Sequence, residues 1–232
     1  MTFILAIQLK DSVIVASDKR SAIFYPNQQF EFDQDQTNKL NLWQSGIITG
    51  VGDLTVIQRA ISFLELLTSS DIDQLVSCLE LSRWIRKEEH THSQIDQTKL
   101  IYSHCYKKDV KLYAIEPQND EYVIRKFEDN EISIWMYNPD ISPVYEKIKI
   151  LYETLRPLSS FTNVLDWINY YVAQTSDIFF DQSKHDEFMS PSFDIYFQTN
   201  ENFYIGTFEN SFPLKLTKLS LKSKHVFFSE LV

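Results

Sequence analysis

The chain contains 232 residues, of which 44% are apolar, and it carries a formal net charge of −10. This length and apolar content are sufficient for one compact domain with a substantial core. Because no repeat, low-complexity tract or linker divides the sequence, we expect a single domain over residues 1–232. Acidic and basic residues are mixed along the chain. This argues against a nucleic-acid-binding surface and against a polybasic membrane patch.

The N-terminal region and the cysteines indicate the cellular compartment. No charged leader and no long apolar segment precede Lys10, so the pattern is neither that of a signal peptide nor that of a membrane anchor. Cys78 and Cys105 are far apart in sequence and lack the spacing of a metal or redox motif. We therefore expect reduced thiols and a cytoplasmic protein.

Hydrophobic patterning predicts two hairpins and two helices in the first half of the chain. Apolar residues recur at three- and four-residue steps from Leu54 to Leu67, which is typical of a helix with one buried face. The polar stretch 86–98 is interpreted as a crossover loop, and residues 28–36 as an acidic, Gln-rich loop. The predicted elements are strands at 3–9, 12–17, 39–43 and 46–51, a helix at 54–68 and a second helix capped by residues 70–73.

The second half is predicted to contain strands, two helices and strands again. The elements are strands at 99–105, 110–116, 121–127 and 132–137, helices at 142–156 and 163–174, and strands at 192–198, 202–206, 211–221 and 225–230. The full order of strands, two helices, strands, two helices and strands indicates the α+β class.

Thr2 is the residue with the most distinctive chemistry. An initiator Met before a small residue is normally removed in the cytoplasm, so we expect the mature chain to begin at Thr2. A terminal threonine combines a hydroxyl nucleophile with a free amine whose pKa is about 8 when unperturbed. One residue would then supply both the nucleophile and its general base.

Three further features follow Thr2 in order. A hairpin ends in Asp18-x-Arg20, Lys39 precedes an apolar residue, and a strand that ends at Gly52 leads into a helix. In this order the features resemble the proteasome β-type branch of the N-terminal-nucleophile (Ntn) hydrolases over residues 2–68. Segments 112–118 and 192–197 are similar to later strands of the bacterial ancestral β-subunit group (Anbu). The resemblance implies a four-layer αββα sandwich.

The resemblance also implies catalytic roles. Lys39 would be a buried ammonium that stabilises the alkoxide of Thr2 and lowers the pKa of its amine. A buried lysine needs a carboxylate partner, which is the role of Asp18, with Arg20 in support. The interval from Asp18 to Lys39 is longer than is usual in this family. The backbone N–H of Gly52 would bind the oxyanion; the alternative reading of residues 49–52 is a tight strand-to-helix turn without a ligand.

Other positions follow from the resemblance by counting along the chain. Ser21, Thr37 and Gly50 would line a fairly open substrate pocket. A second acid and a serine that support the terminal amine fall at Asp186 and Ser190, although Asp177 or Asp181 would serve as well. Residues 135–138 stand where the family often has a glycine. This departure from the family pattern would either reshape the site or mark a diverged, inactive subunit.

The remaining polar residues do not indicate a second chemistry. The segment 88–92 contains two glutamates and two histidines, but on a hydrophilic crossover its spacing favours a solvated loop over a metal site. His104 and Cys105 are neighbours on a predicted strand, so their side chains point to opposite faces. No phosphate loop or dinucleotide fingerprint is present, and we expect no cofactor.

The prediction is therefore a threonine-type Ntn hydrolase that cleaves a peptide or a small amide through an acyl-enzyme. The resemblance implies a homo-oligomeric ring or spiral with helices between neighbouring subunits; it is compatible with an ATPase partner but identifies none. Two alternatives remain open, a diverged non-catalytic subunit with an assembly role and a non-peptide Ntn amidohydrolase.

Overall fold

The computed structural model describes residues 2–24, 30–67, 71–119, 121–136, 140–209 and 212–220. The strands are β1 Phe3–Gln8, β2 Ser12–Asp18, β3 Ser21–Phe24, β4 Phe30–Gln34, β5 Asn41–Trp43, β6 Gly46–Val51, β7 Lys99–Tyr106, β8 Asp109–Gln118, β9 Glu121–Lys126, β10 Glu131–Met136, β11 Phe193–Thr199, β12 Asn202–Glu209 and β13 Phe212–Ser220. The helices are α1 Leu54–Leu66, α2 Leu75–Glu89, α3 Ser93–Asp96, α4 Tyr145–Glu153 and α5 Val164–Ser183. Short 3₁₀ turns cover Ile72–Gln74, Ser142–Val144 and Leu158–Ser160.

The larger strands form two antiparallel sheets. One sheet has six strands in the order β10-β1-β2-β11-β12-β13, and the other has five in the order β5-β6-β7-β8-β9. Strands β3 and β4 pair separately as a two-stranded ribbon. Strand β2 therefore lies in the middle of the six-stranded sheet, between β1 and β11.

Three apolar layers show how the sheets and helices stack. On β1, Phe3 and Leu5 pack with Trp167 of α5, whereas Ile4 and Ala6 pack with residues of the other sheet. A third cluster joins the five-stranded sheet to α1 and α2. Because alternate residues of a strand face opposite sides of a sheet, β1 is buried on both faces. The layers are helix, sheet, sheet and helix, which confirms the predicted αββα sandwich.

Most predicted elements are confirmed, and two interpretations are wrong. The stretch 86–98 is partly helical, because α2 continues to Glu89 and α3 follows at Ser93–Asp96. The predicted loop 28–36 contains strand β4, which pairs with β3. Helix α5 extends beyond the predicted end at 174 to Ser183, since Ile178 and Phe179 continue its buried face. The predicted strand 225–230 lies outside the described residues.

The helix starts follow local sequence chemistry. The Asp53 side chain accepts a hydrogen bond from the Val56 N–H and caps α1, and Asn163 caps α5 in the same way. Within the part of the chain that the structure describes, no helix is long and apolar enough to cross a membrane.

Candidate active site

The carboxylate of Asp18 is the centre of the predicted site. It lies at the end of β2 and is fully buried. Its Oδ1 accepts hydrogen bonds from Lys39 Nζ (2.8 Å) and from the Phe3 N–H (2.7 Å). Its Oδ2 accepts one from the Arg20 N–H (2.9 Å). One carboxylate thus joins the residue after Thr2, the predicted lysine and the turn that follows β2.

Lys39 is buried beside this carboxylate, with 6% of its surface exposed. Burial lowers the pKa of Lys39 below its ordinary value, and the negative charge of Asp18 acts in the opposite direction. Unlike exposed ion pairs, which salt and solvent screen, this pair retains a strong local field. The arrangement places a compensated ammonium next to the start of the mature chain that we predict.

Thr2 and Gly52 lie in the same cleft. This cleft has a volume of about 340 Å³, and its other lining residues are Val51, Gln94, Gln97, Lys99, Glu116, Pro117 and Met136. The first residue of β1 is Phe3, whose N–H is held by Asp18, so the peptide that follows Thr2 has a fixed orientation. The structure therefore brings the predicted nucleophile and the predicted oxyanion donor to one opening in the surface.

Gly52 has a backbone conformation that suits only glycine. Its φ angle is +119°, and a Cβ atom at this position would lie 2.4 Å from Thr98 Cα. It stands between the end of β6 and Asp53, the N-cap of α1. Both readings of residues 49–52 are therefore compatible with the geometry, since the turn is tight and it also faces the cleft.

Arg20 joins the site to two neighbouring segments. Its Nε and Nη2 donate to the two carboxylate oxygens of Asp35 at 2.7 and 2.8 Å, a bidentate pair. Its Nη1 donates to the carbonyl of Glu187. The hydrogen bonds to Asp35 raise the pKa of Arg20. Arg20 thus ties the end of the β3–β4 ribbon to the segment before β11.

Asp186 and Ser190 lie near Asp18. The Ser190 N–H is 3.5 Å from Asp18 Oδ2, and the Ser190 Oγ accepts a hydrogen bond from the Ser192 N–H. Asp186 is buried, and burial together with the charge of Asp18 raises the pKa of its carboxyl. The alternative acid Asp181 instead forms ion pairs with Lys147 and Lys184, which lower its pKa to about 2.

The three residues predicted to line the substrate pocket are placed differently. Ser21 and Thr37 are buried close to the turn after β2, where the Thr37 N–H donates to the Lys19 carbonyl. Gly50 is enclosed by β7 and α1, because a Cβ there would lie 2.5 Å from the Lys99 carbonyl oxygen and 3.2 Å from Ile57 Cδ1. None of the three is among the residues that line the cleft. Their substrate-binding role stays a prediction.

A further buried carboxylate, that of Asp194, was missed. Asp194 of β11 accepts a hydrogen bond from Thr207 Oγ1 (2.6 Å), and its Oδ1 lies 3.6 Å from Lys19 Nζ. Burial raises the pKa of Asp194. The signal in the sequence was a lone acid in the apolar strand that begins at Phe193. The polar cleft residues Gln94, Gln97, Lys99 and Glu116 were also missed, since they come from α3 and its C-cap, from β7 and from β8, which meet only in the fold.

The segment 88–92 contributes to ion pairs instead of a metal site. Glu89 binds Arg59 and Arg86, and His92 Nε2 lies 3.0 Å from Asp53 Oδ2. Across the described ranges no group of three or more His, Cys, Asp or Glu residues is arranged to hold a metal ion.

Two solved structures share this fold. The Anbu (Gly-1) mutant from Hyphomicrobium sp. strain MC1 is 13% identical, with a TM-score of 0.57 over 97% of this chain and 89% of that chain. The eukaryotic HslV from Trypanosoma brucei is also 13% identical, with a TM-score of 0.52 over 85% of this chain and 99% of that chain. No protein-family model matches the sequence, and no curated protein matches it significantly.

Proposed function

Because this chain has the proteasome-type Ntn-hydrolase fold, we propose that it hydrolyses amide bonds with Thr2 as the nucleophile. The observation that carries the proposal is the contact of one buried carboxylate, Asp18, with both Lys39 Nζ and the Phe3 N–H. This contact places the buried charge pair next to a threonine that lines a cleft. The chemistry requires a chain from which Met1 has been removed, because only then does Thr2 carry a free amine.

The proposed reaction begins with attack of Thr2 Oγ on the substrate carbonyl. The terminal amine accepts the hydroxyl proton, and the ammonium of Lys39 stabilises the developing alkoxide. The Gly52 N–H would donate to the oxyanion of the tetrahedral intermediate. When the intermediate collapses, the carbon–nitrogen bond breaks and the protonated amine of Thr2 returns the proton to the leaving amine.

The second half of the reaction releases the acyl group. Water adds to the acyl ester of Thr2 while the amine takes one of its protons. Collapse of this second intermediate breaks the ester bond, frees the carboxylic acid and restores the Thr2 hydroxyl. The carboxylate of Asp18 keeps Lys39 compensated, since an unpaired buried ammonium would lose its proton.

The proposed substrate class is a peptide or a small amide, and the proposed assembly is a homo-oligomer. Support for the assembly comes from apolar side chains on the outer surface of α4 and α5, where Ile150, Tyr152, Leu165 and Phe180 are exposed. Such residues are typical of helices that also pack against a second protein surface.

Intact-mass analysis before and after treatment with a β-lactone tests the proposal. Protein purified from its native host should lack Met1, and the lactone should add its full mass to the N-terminal peptide because Thr2 opens the ring to form an ester. Thr2→Ala should abolish this addition and leave the fold intact. Fully retained Met1, or no addition to a chain that starts at Thr2, would refute the catalytic proposal and leave an assembly role.

A further inference from the structure

We infer that Thr98 is a positioning residue for the oxyanion donor, a role that rests on the proposed function of Gly52. Thr98 precedes β7 and follows α3, so it belongs to the crossover between the second helix and the five-stranded sheet. Its side chain reaches the turn at which β6 leads into α1. The residue is fully buried.

The Thr98 hydroxyl connects this turn to the crossover. Its Oγ1 accepts a hydrogen bond from the Asp53 N–H (3.0 Å) and donates one to the Gln94 carbonyl (2.8 Å). The Thr98 carbonyl in turn accepts from the Tyr122 hydroxyl at 2.9 Å. Thr98, whose hydroxyl accepts from the Asp53 N–H, is therefore held by α3 through Gln94 and by β9 through Tyr122.

Gly52 needs such a restraint more than other residues do. Glycine has the widest choice of backbone angles, so the direction of its N–H is not fixed by its own sterics. In this turn Gly52 packs directly on Thr98, and the next peptide N–H, that of Asp53, is bound by the Thr98 hydroxyl. Holding the 52–53 peptide limits the rotation of Gly52 and so aims its N–H.

The fold around the turn has anchors that do not depend on this hydroxyl. Asp53 Oδ1 accepts from the Val56 N–H, and Asp53 Oδ2 accepts from Arg86 Nε at 3.1 Å. Loss of the Thr98 hydroxyl alone should therefore leave α1 and the cleft in place. It would release the 52–53 peptide and, because the backbone angles of Gly52 couple this peptide to the one before it, the direction of the Gly52 N–H.

Loss of the Thr98 hydroxyl should slow the step that forms the oxyanion. Removal of a complete oxyanion-hole donor slows reactions by about 100- to 1,000-fold. Because Thr98→Val would misalign the donor without removing it, we expect a smaller loss, about 10- to 100-fold. The value of KM should change little, since the donor is aimed at the intermediate and not at the ground-state carbonyl.

The test compares two electrophiles on processed protein that starts at Thr2. A β-lactone acylates through a tetrahedral oxyanion, whereas a vinyl sulfone alkylates the same oxygen without one. We expect Thr98→Val to slow acylation by the lactone about 10- to 100-fold and alkylation by less than about 3-fold. Thr98→Ser, which keeps the hydroxyl, should restore lactone acylation to within about 3-fold of wild type.

Thr175→Val is the matched control. Thr175 is a fully buried threonine of α5 whose hydroxyl has no hydrogen-bond partner among the described residues, and it should label like wild type with both reagents. Equal slowing of both reagents by Thr98→Val would show a general structural defect, and no slowing of either would show that the hydroxyl is dispensable; each refutes the inference. If wild-type protein reacts with neither reagent, the proposed function itself fails.

Discussion

The buried pair of Lys39 and Asp18 makes the sharpest prediction, because its loss should affect stability and chemistry together. At the separation of 2.8 Å and an effective dielectric constant of about 20, the Coulomb attraction is about 6 kcal/mol. Desolvation of both ions offsets much of this attraction, whereas removal of one partner typically costs about 3–5 kcal/mol because it leaves the other charge unpaired.

For Lys39→Met we expect the lower end of that range, about 3 kcal/mol. Asp18 would still accept hydrogen bonds from the Phe3 and Arg20 N–H groups, so it would not be left without partners. The double variant Lys39→Met with Asp18→Asn should lose less stability than Lys39→Met alone, because neither charge then remains uncompensated. Urea unfolding with an unchanged m value measures both differences.

Lys39→Met should also slow acylation of Thr2 by a β-lactone, on the order of 100-fold, because no ammonium remains to stabilise the alkoxide. Lys111→Met is the matched control. Lys111 is a comparably buried lysine of β8, and it contacts Asp129 in the turn between β9 and β10. Because Asp129 is itself half exposed, the control should cost less than about 1 kcal/mol and leave labelling unchanged. If the β-lactone acylated Lys39→Met as fast as wild type, the role of Lys39 in stabilising the alkoxide would be refuted.

Three further predictions concern the turn at Gly52, the buried carboxylate of Asp194 and the assembly. Gly52→Ala should lower the unfolding free energy by about 2 kcal/mol or more, because its Cβ would meet Thr98 at 2.4 Å and its φ angle is unfavourable; an unchanged denaturation midpoint would contradict the described turn. Burial raises the pKa of Asp194 in the folded state above its ordinary value of 3.8. The stability that protonated Asp194 contributes is therefore fully present below pH 3.8 and is lost as the pH rises through the folded-state pKa. Asp194→Asn should therefore flatten the decline of the unfolding free energy with pH above pH 3.8. If urea unfolding at a series of pH values gave the same dependence on pH as in wild type, this prediction would be contradicted. Light scattering should show an assembly of at least about six subunits, and a stable monomer at micromolar concentration would contradict the role given to the exposed faces of α4 and α5.

The elements that could be predicted from the sequence share a strong local signal. Residues 3–7 and 13–16 are continuous apolar runs, and the strands that contain them are buried on both faces in the centre of the sandwich. The cap before α1 is equally local, because an aspartate at position 53 precedes an apolar repeat of helical period. Strand β4 had no such signal, since it lies in the acidic segment 28–36 and its described pairing is with the short strand β3.

The residues of the candidate site also fall into two groups, those that the sequence indicated and those that it did not. Thr2, Asp18 and Lys39 could be proposed because their order in the sequence resembles that of a known family, although their contact could not be measured before the fold was known. Thr98 and Asp194 could not be proposed, because their roles depend on partners 45 and 13 residues away in sequence. No residue type near Thr98 marks it, and the signal at Asp194, a lone acid in an apolar strand, does not by itself identify its partners.

The geometry of the two sheets explains why such distant residues meet at one cleft. Strand β1 begins at Phe3, the antiparallel strand β2 ends at Asp18, and the register pairs Phe193 with Asp18, so the start of β11 lies at the same edge. In the facing sheet, β6 ends at Val51 beside Lys99, the first residue of β7. The strand ends next to Thr2, the proposed nucleophile, therefore face the strand ends next to Gly52, the proposed oxyanion donor. A substitution that shifted β6 against β7 by one residue would move Gly52 away from Thr98 without altering Asp18 or Lys39. The site thus depends on the register of both sheets as well as on the residues that line it.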